Sequence, residues 1–62
     1  MRHDEFEGIC KSVSSGEETR VRHIVTHQIG KVIACSLEDE FFEVDAAGER
    51  KVWSKDNCKV LH

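Results

Sequence analysis

The stretch 20-RVRHIVTHQIGKV-32 decides the fold of this chain. Read as a helix, Val21, Ile24, Val25 and Ile29 recur at i, i+3, i+4 and i+8. Ser15 and Glu18 are then spaced as a capping box, and Gly30 stands where a helix would stop. Read as a strand, Val21, His23, Val25, His27 and Ile29 share one face. Arg20, Arg22, Thr26 and Gln28 share the other, with Ile24 the one misfit. Residue type breaks the tie. Val21, Ile24, Val25, Thr26 and Ile29 are β-branched, and no Ala, Leu, Met, Glu or Lys lies between Arg20 and Ile29. Stiff side chains of this kind suit a pleated surface better than a helix, so a strand is expected over 19–28.

Working outward, Phe6, Ile9, Cys10 and Val13 are the apolar members of 5-EFEGICKSV-13. Their spacing is ragged for a strand and equally consistent with a short helical turn; we take the segment as an opening strand over 4–13. Ser14 to Glu18 is a polar cluster with a glycine, which reads as a loop. Downstream, Ser36 with Asp39, the spacing of Leu37, Phe41 and Val44, and Gly48 would suit a capped helix. A hairpin competes with it, pairing FFEV with ERKVW across Asp45, Ala46, Ala47 and Gly48, where Asp first and Gly fourth suit a type I turn. The hairpin supplies a partner for Val52 and Trp53 and is preferred. The tail, SKDNCKVLH, reads as one helical turn leading into a last short strand. The plan is all-β, with strands near 4–13, 19–28, 31–37, 41–45 and 49–53 and a short addition at 58–61, a pattern of small barrels. The alternative is α+β, with helices near 17–29 and 37–47.

Sixty-two residues make a single domain, 1–62, near the small end of what folds alone, because so short a chain buries only about 60% of its unfolded surface. A second copy of the chain would relieve that shortage, so a homodimer is in keeping with the length. With 39% hydrophobic and 34% charged residues, the composition is that of a globular domain and not of a disordered one. The longest apolar run, Val32 to Cys35, is far short of the roughly 20 residues a bilayer-spanning helix needs. The opening MRHDEFEG has no apolar signal-like region, so a cytoplasmic location is expected. Cys10, Cys35 and Cys58 include no close pair, and an odd count of this kind favours reduced thiols.

The net charge is −3, with balanced charges over residues 1–31 and an acidic excess over 32–62. Such a chain meets a phosphate backbone only through a local patch, and Arg20, Arg22, Lys31 and Lys51 are the candidates. His23 and His27 on one strand would stand roughly 13 Å apart, too far for one metal ion. The three cysteines could converge with a histidine around zinc, but no CxxC pair supports it, and three small buried side chains are the expected outcome. No Cys–His contact signals a nucleophile. The acids from Glu38 to Asp45 lack the Asp/Asn and Gly alternation of a calcium loop and read as a solvated face, or as a surface for a basic partner. Phe41 and Phe42 point to opposite faces of a strand, so one of them is left for a surface role. With no tyrosine, an aromatic cage for methylated lysine is not expected.

Val21-Arg22-His23, Gly30-Lys31-Val32, Phe42, Val44, Gly48, Val52 and Val60-Leu61, taken together over residues 17–61, resemble the skeleton of SH3-like barrels of the Tudor type. The Val-Arg-His opening, the Gly-x-Val strand and the final strand ending in Leu look like the C-terminal domain of bacterial repair helicases and related transcription factors. The departure is at His27, Gln28 and Ile29, which stand where a glycine-rich turn is expected. The resemblance implies a small five-stranded SH3-like barrel that grips a protein, often RNA polymerase, or occasionally nucleic acid. We therefore expect a non-enzymatic protein-interaction module without cofactor or metal, binding through Phe41, Trp53, Glu40 and Glu43. The alternative is a nucleic-acid-binding regulator using the basic patch.

Overall fold

Phe6, Ile9, Cys10 and Val13 recur at i, i+3, i+4 and i+7, which is the repeat of one helical face. In the computed structural model, which describes residues 1–61, they form the buried side of a helix, α1 (His3–Ser14). The opening strand expected over 4–13 is thus a helix. Asp4 and Glu5 lie in its first turn and Lys11 in its last, each favourable to the helix dipole. The Arg2 backbone N–H donates to the Glu5 carboxylate at 3.2 Å, satisfying an amide at the helix start. At the other end, the Gly16 N–H donates to the Val13 carbonyl and the Glu17 N–H to the Ser12 carbonyl, both at 3.0 Å. Gly16 has φ 84°, so this is a Schellman stop built on the one residue type that enters that region freely. Ser15, considered with Glu18 as the capping box of a following helix, instead ends the preceding one.

The rest of the chain is β: β1 (Arg20–His23), β2 (Ile29–Ser36), β3 (Phe41–Ala46), β4 (Glu49–Ser54), a 3₁₀ turn (Lys55–Asn57) and β5 (Cys58–Val60). All ladders are antiparallel, in the order β4-β3-β2-β1-β5. The organising stretch is strand at both ends, but it breaks in the middle. Its strand stops at His23, because the His23 N–H donates to the Gln28 carbonyl and the His27 N–H to the His23 carbonyl. The His23 ring nitrogen Nδ1 also accepts from the Val25 and Thr26 amides, at 3.3 Å each. His27 takes φ 63° to close this turn, so His23 and His27 do not share a strand face. The helices considered near 17–29 and 37–47 do not form. Ser36 and Asp39 do make their cap-like contact, the Asp39 N–H donating to Ser36 Oγ at 3.2 Å, but it closes a turn into β3.

The β3–β4 hairpin runs in the expected direction with a tighter loop. Ala46 pairs with Glu49, leaving only Ala47 (φ 55°) and Gly48 (φ 79°) between the strands. Two consecutive positive φ values make this a type I′ turn, whose twist matches that of the flanking strands, in place of the type I turn expected.

The sheet is rolled but not closed. In a flat sheet β4 and β5 would lie four strand spacings apart, roughly 19 Å. The three residues that join them rise only about 6 Å as a 3₁₀ turn, so the two edges are drawn toward each other. A bulge between Val32 and Ala34 adds to the curvature. Even so, β4 and β5 share no ladder, and the result is an open five-stranded antiparallel sheet with one helix where a closed barrel was expected.

The helix closes the concave face. Phe6 and Phe42, both fully buried, meet edge to face with ring centroids 4.9 Å apart. Around them lie Ile9, Val21, Val32, Val44, Ala46, Trp53 and Cys58. Each large side chain fully buried here contributes about 1.5–3 kcal/mol, so α1 helps build the core formed by the described residues. A disulfide joins Cys10 on α1 to Cys35 on β2, with Cα atoms 5.8 Å apart. The expectation of three reduced thiols is corrected by this contact: a helix lying across the sheet brings together two residues 25 positions apart in sequence. Cys58 is free and buried.

Candidate functional site: the uncovered face of the sheet

Strand alternation sends the residues between the core positions to the convex face, which no helix covers. The registers arrange them in rows. Lys59, Arg22 and Ile29 form the first, and Arg20, Lys31, Asp45 and Arg50 the second. Ala34, Glu43 and Val52 form the third, and Ser36, Phe41 and Ser54 the fourth. Five cations thus occupy two adjacent rows. Beyond them the face turns apolar and weakly acidic. Ile29, within the first row, is 48% exposed and Val52, in the third, 61%, so the face offers apolar surface on either side of the second cationic row.

The cations differ in how they are held. Glu18, in the loop before β1, reaches both Arg20 and Lys31, with contacts of 3.7 and 3.8 Å. Arg22, Arg50 and Lys59 have no ion-pair partner among the described residues. Their charge is therefore open to a ligand.

The residues expected to bind a protein are not brought together. Phe41 and Glu43 lie on the convex face, but Trp53 pairs with Phe42 on the concave face and is only 7% exposed. It belongs to the core, its ring packed edge to face on His23 at a centroid distance of 4.9 Å. Glu40 leaves the sheet in the β2–β3 turn with φ 58°, and its carboxylate takes Lys55 Nζ at 3.1 Å and approaches His3 Nδ1 at 3.8 Å. Hydrogen bonding to Glu40 holds the Lys55 ammonium above its ordinary range. Glu40 is therefore a tie between the turn, α1 and the 3₁₀ segment. Of the basic candidates, Arg20, Arg22 and Lys31 share the convex face. Lys51 does not: it pairs with buried Val44, and its Nζ donates to Gln28 Oε1 at 3.4 Å.

Arg50, Lys59, Ile29 and Val52 complete the face and were not among the expected residues. The signal for Arg50 and Val52 was their alternation with Lys51 and Trp53 within one strand. Lys59 could be placed only once β5 was known to lie beside β1. No known protein family, curated protein or solved structure matches this chain. The site is thus read from its own chemistry.

Among the described residues, no three His, Cys, Asp or Glu side chains converge as metal ligands. No helix among them is long and apolar enough to cross a membrane. Cations beside exposed Ile29 and Val52 form a surface suited to an anionic ligand with apolar groups of its own.

Proposed function

We propose that this chain is a non-enzymatic protein-interaction module whose convex sheet face takes an acidic segment carrying apolar side chains. The observation that carries the reading is the pairing of Arg22 with Ile29 and Lys59 in one row, beside the Arg20, Lys31 and Arg50 row. A ligand lying across the face would set carboxylates on the open cations and aliphatic groups on Ile29 and Val52. A five-stranded antiparallel sheet is compatible with an SH3-like barrel, and the Tudor-type resemblance supports the same class of use.

A nucleic acid is the second reading, favoured by the five cations on one face. Against it stand Asp45 inside the basic row, Glu18 across Arg20 and Lys31, and the net charge of −3. These repel a continuous phosphate backbone more than they repel a few spaced carboxylates.

The test is titration of the nitrogen-15-labelled protein with a short Glu/Ile peptide, its Lys/Ile counterpart and a single-stranded oligonucleotide. The expected result is amide shifts along β1, β2 and β4 with the acidic peptide alone, weakened by Val52→Glu and by the double change Arg22→Glu, Lys59→Glu. Shifts with the oligonucleotide alone, declining steeply as salt rises, would establish the second reading. Equal response to both peptides, or none to any ligand, defeats both.

A further inference from the structure

We propose that the Cys10–Cys35 pair is a thiol–disulfide exchange site, open to small monothiols of the glutathione class through a groove beside the C-terminal half of α1. The groove has a volume of about 440 Å³ and is lined by Glu7, Cys10, Lys11, Ser14, Ser15 and Leu37. Cys10 is the one cysteine in its wall. The position lies on the opposite side of the sheet from the convex face, so the inference stands independently of the interaction reading.

The arrangement fits exchange in three respects. The Cα separation of 5.8 Å is within the range that a disulfide spans without backbone movement, so the bond can open and reclose in place. Cys10 belongs to the buried core and is only 5% exposed, but it forms part of the groove wall, which is the route open to an incoming sulfur, and Lys11 in the same wall offers a cation to a thiolate or to the carboxylates of a peptide thiol. Phe6, one helical turn before Cys10, is seated on Phe42 independently of the bond. Opening the disulfide therefore leaves the start of α1 anchored, while its last turn, Lys11 to Ser14, keeps only the packing of Val13 against the sheet and loosens.

The step balances as follows. A monothiolate attacks the Cys10 sulfur, forming a mixed disulfide there while the sulfur–sulfur bond breaks and Cys35 leaves as thiolate. A second monothiolate attacks the carrier sulfur of that adduct and releases Cys10. Two monothiols are oxidised to one disulfide, Cys10 and Cys35 are reduced, and the two thiol protons pass to the protein sulfurs. Cys58, sealed in the core at 0% exposure, takes no part.

The experiment uses the full chain and glutathione. Oxidised glutathione is added to Cys35→Ser under native conditions, and the modified residue is located by mass spectrometry. The expected product carries one glutathionyl group on Cys10, formed at least about tenfold faster than any on Cys58. In case that variant folds poorly, the reduced wild-type protein is labelled in parallel with iodoacetamide, where Cys10 should react before Cys58 by a similar factor. Amide exchange should then speed up on reduction at Lys11–Ser14 and remain slow at Phe6. Adduct formation on Cys58 at the rate of Cys10, or no native adduct on either, overturns the proposal. So does an exchange pattern unchanged by reduction.

Discussion

Trp53 lies directly on Gly30. A Cβ placed at residue 30 would fall 2.9 Å from Trp53 Cζ3, 3.1 Å from its Cη2 and 3.0 Å from Val44 Cβ. The absent side chain is what lets the indole of β4 fold across β3 and reach β2, with His23 against its other edge. The roll of the sheet is therefore encoded partly by a glycine.

Gly30→Ala should lower stability by about 1–3 kcal/mol, the usual penalty of forcing a methyl into a packed site. Urea unfolding followed by Trp53 fluorescence measures it, and the emission of the folded variant should shift to the red as the indole is pushed toward water. An unchanged midpoint would mean that the Trp53–Gly30 contact is not made.

Phe6→Ala should be more severe, at about 3–5 kcal/mol, because it removes a fully buried ring and its edge-to-face partner on Phe42. In a chain of this size that approaches the whole stability. The variant should lose its cooperative thermal transition in circular dichroism. If it melts like the parent, α1 is not seated on the sheet.

Strand identity in this chain was legible where β-branched and aromatic residues alternate with charged ones, as in Phe41–Ala46 and Glu49–Ser54, and at the single 3₁₀ turn before Cys58. The helix was written in the spacing of Phe6, Ile9, Cys10 and Val13, yet Gly8 and Val13 are weak helix formers, and only packing against Phe42 decides the matter. Ile24 and Val25 misled in the other direction: both are β-prone, yet they sit exposed in a turn held by the ring of His23. The cationic face was half legible, since Arg20, Arg22 and Lys31 follow from local alternation. Lys59 joins them only through the pairing of the chain's last strand with its first, a non-local contact that no local pattern reports.

Cys10→Ser should remove a cross-link that closes a loop of 25 residues. Chain-entropy reasoning gives such a loop about 3.5 kcal/mol. The variant should therefore melt lower than the oxidised parent, and the two should converge when the parent is reduced. The comparison is a thermal melt of each protein with and without reductant. A parent indifferent to reductant, with a variant of equal stability, would show that the two sulfurs are not joined.

Burial pushes the Cys58 thiol from its ordinary 9.0 up to about 11, and this sets the sign of a pH effect. Below about pH 9 the thiol is protonated in the folded and unfolded chains alike, and its contribution is fully present. Between 9 and 11 the unfolded chain gives up the proton while the folded one keeps it, so stability falls as pH rises and levels off above the folded value. Lysines titrate in the same range, so the useful quantity is the difference between the parent and Cys58→Ala. Their urea midpoints should run parallel below pH 9 and approach or cross above it, as the parent alone loses the thiol's contribution. A constant gap from pH 8 to 11 would place Cys58 in contact with water in the folded chain.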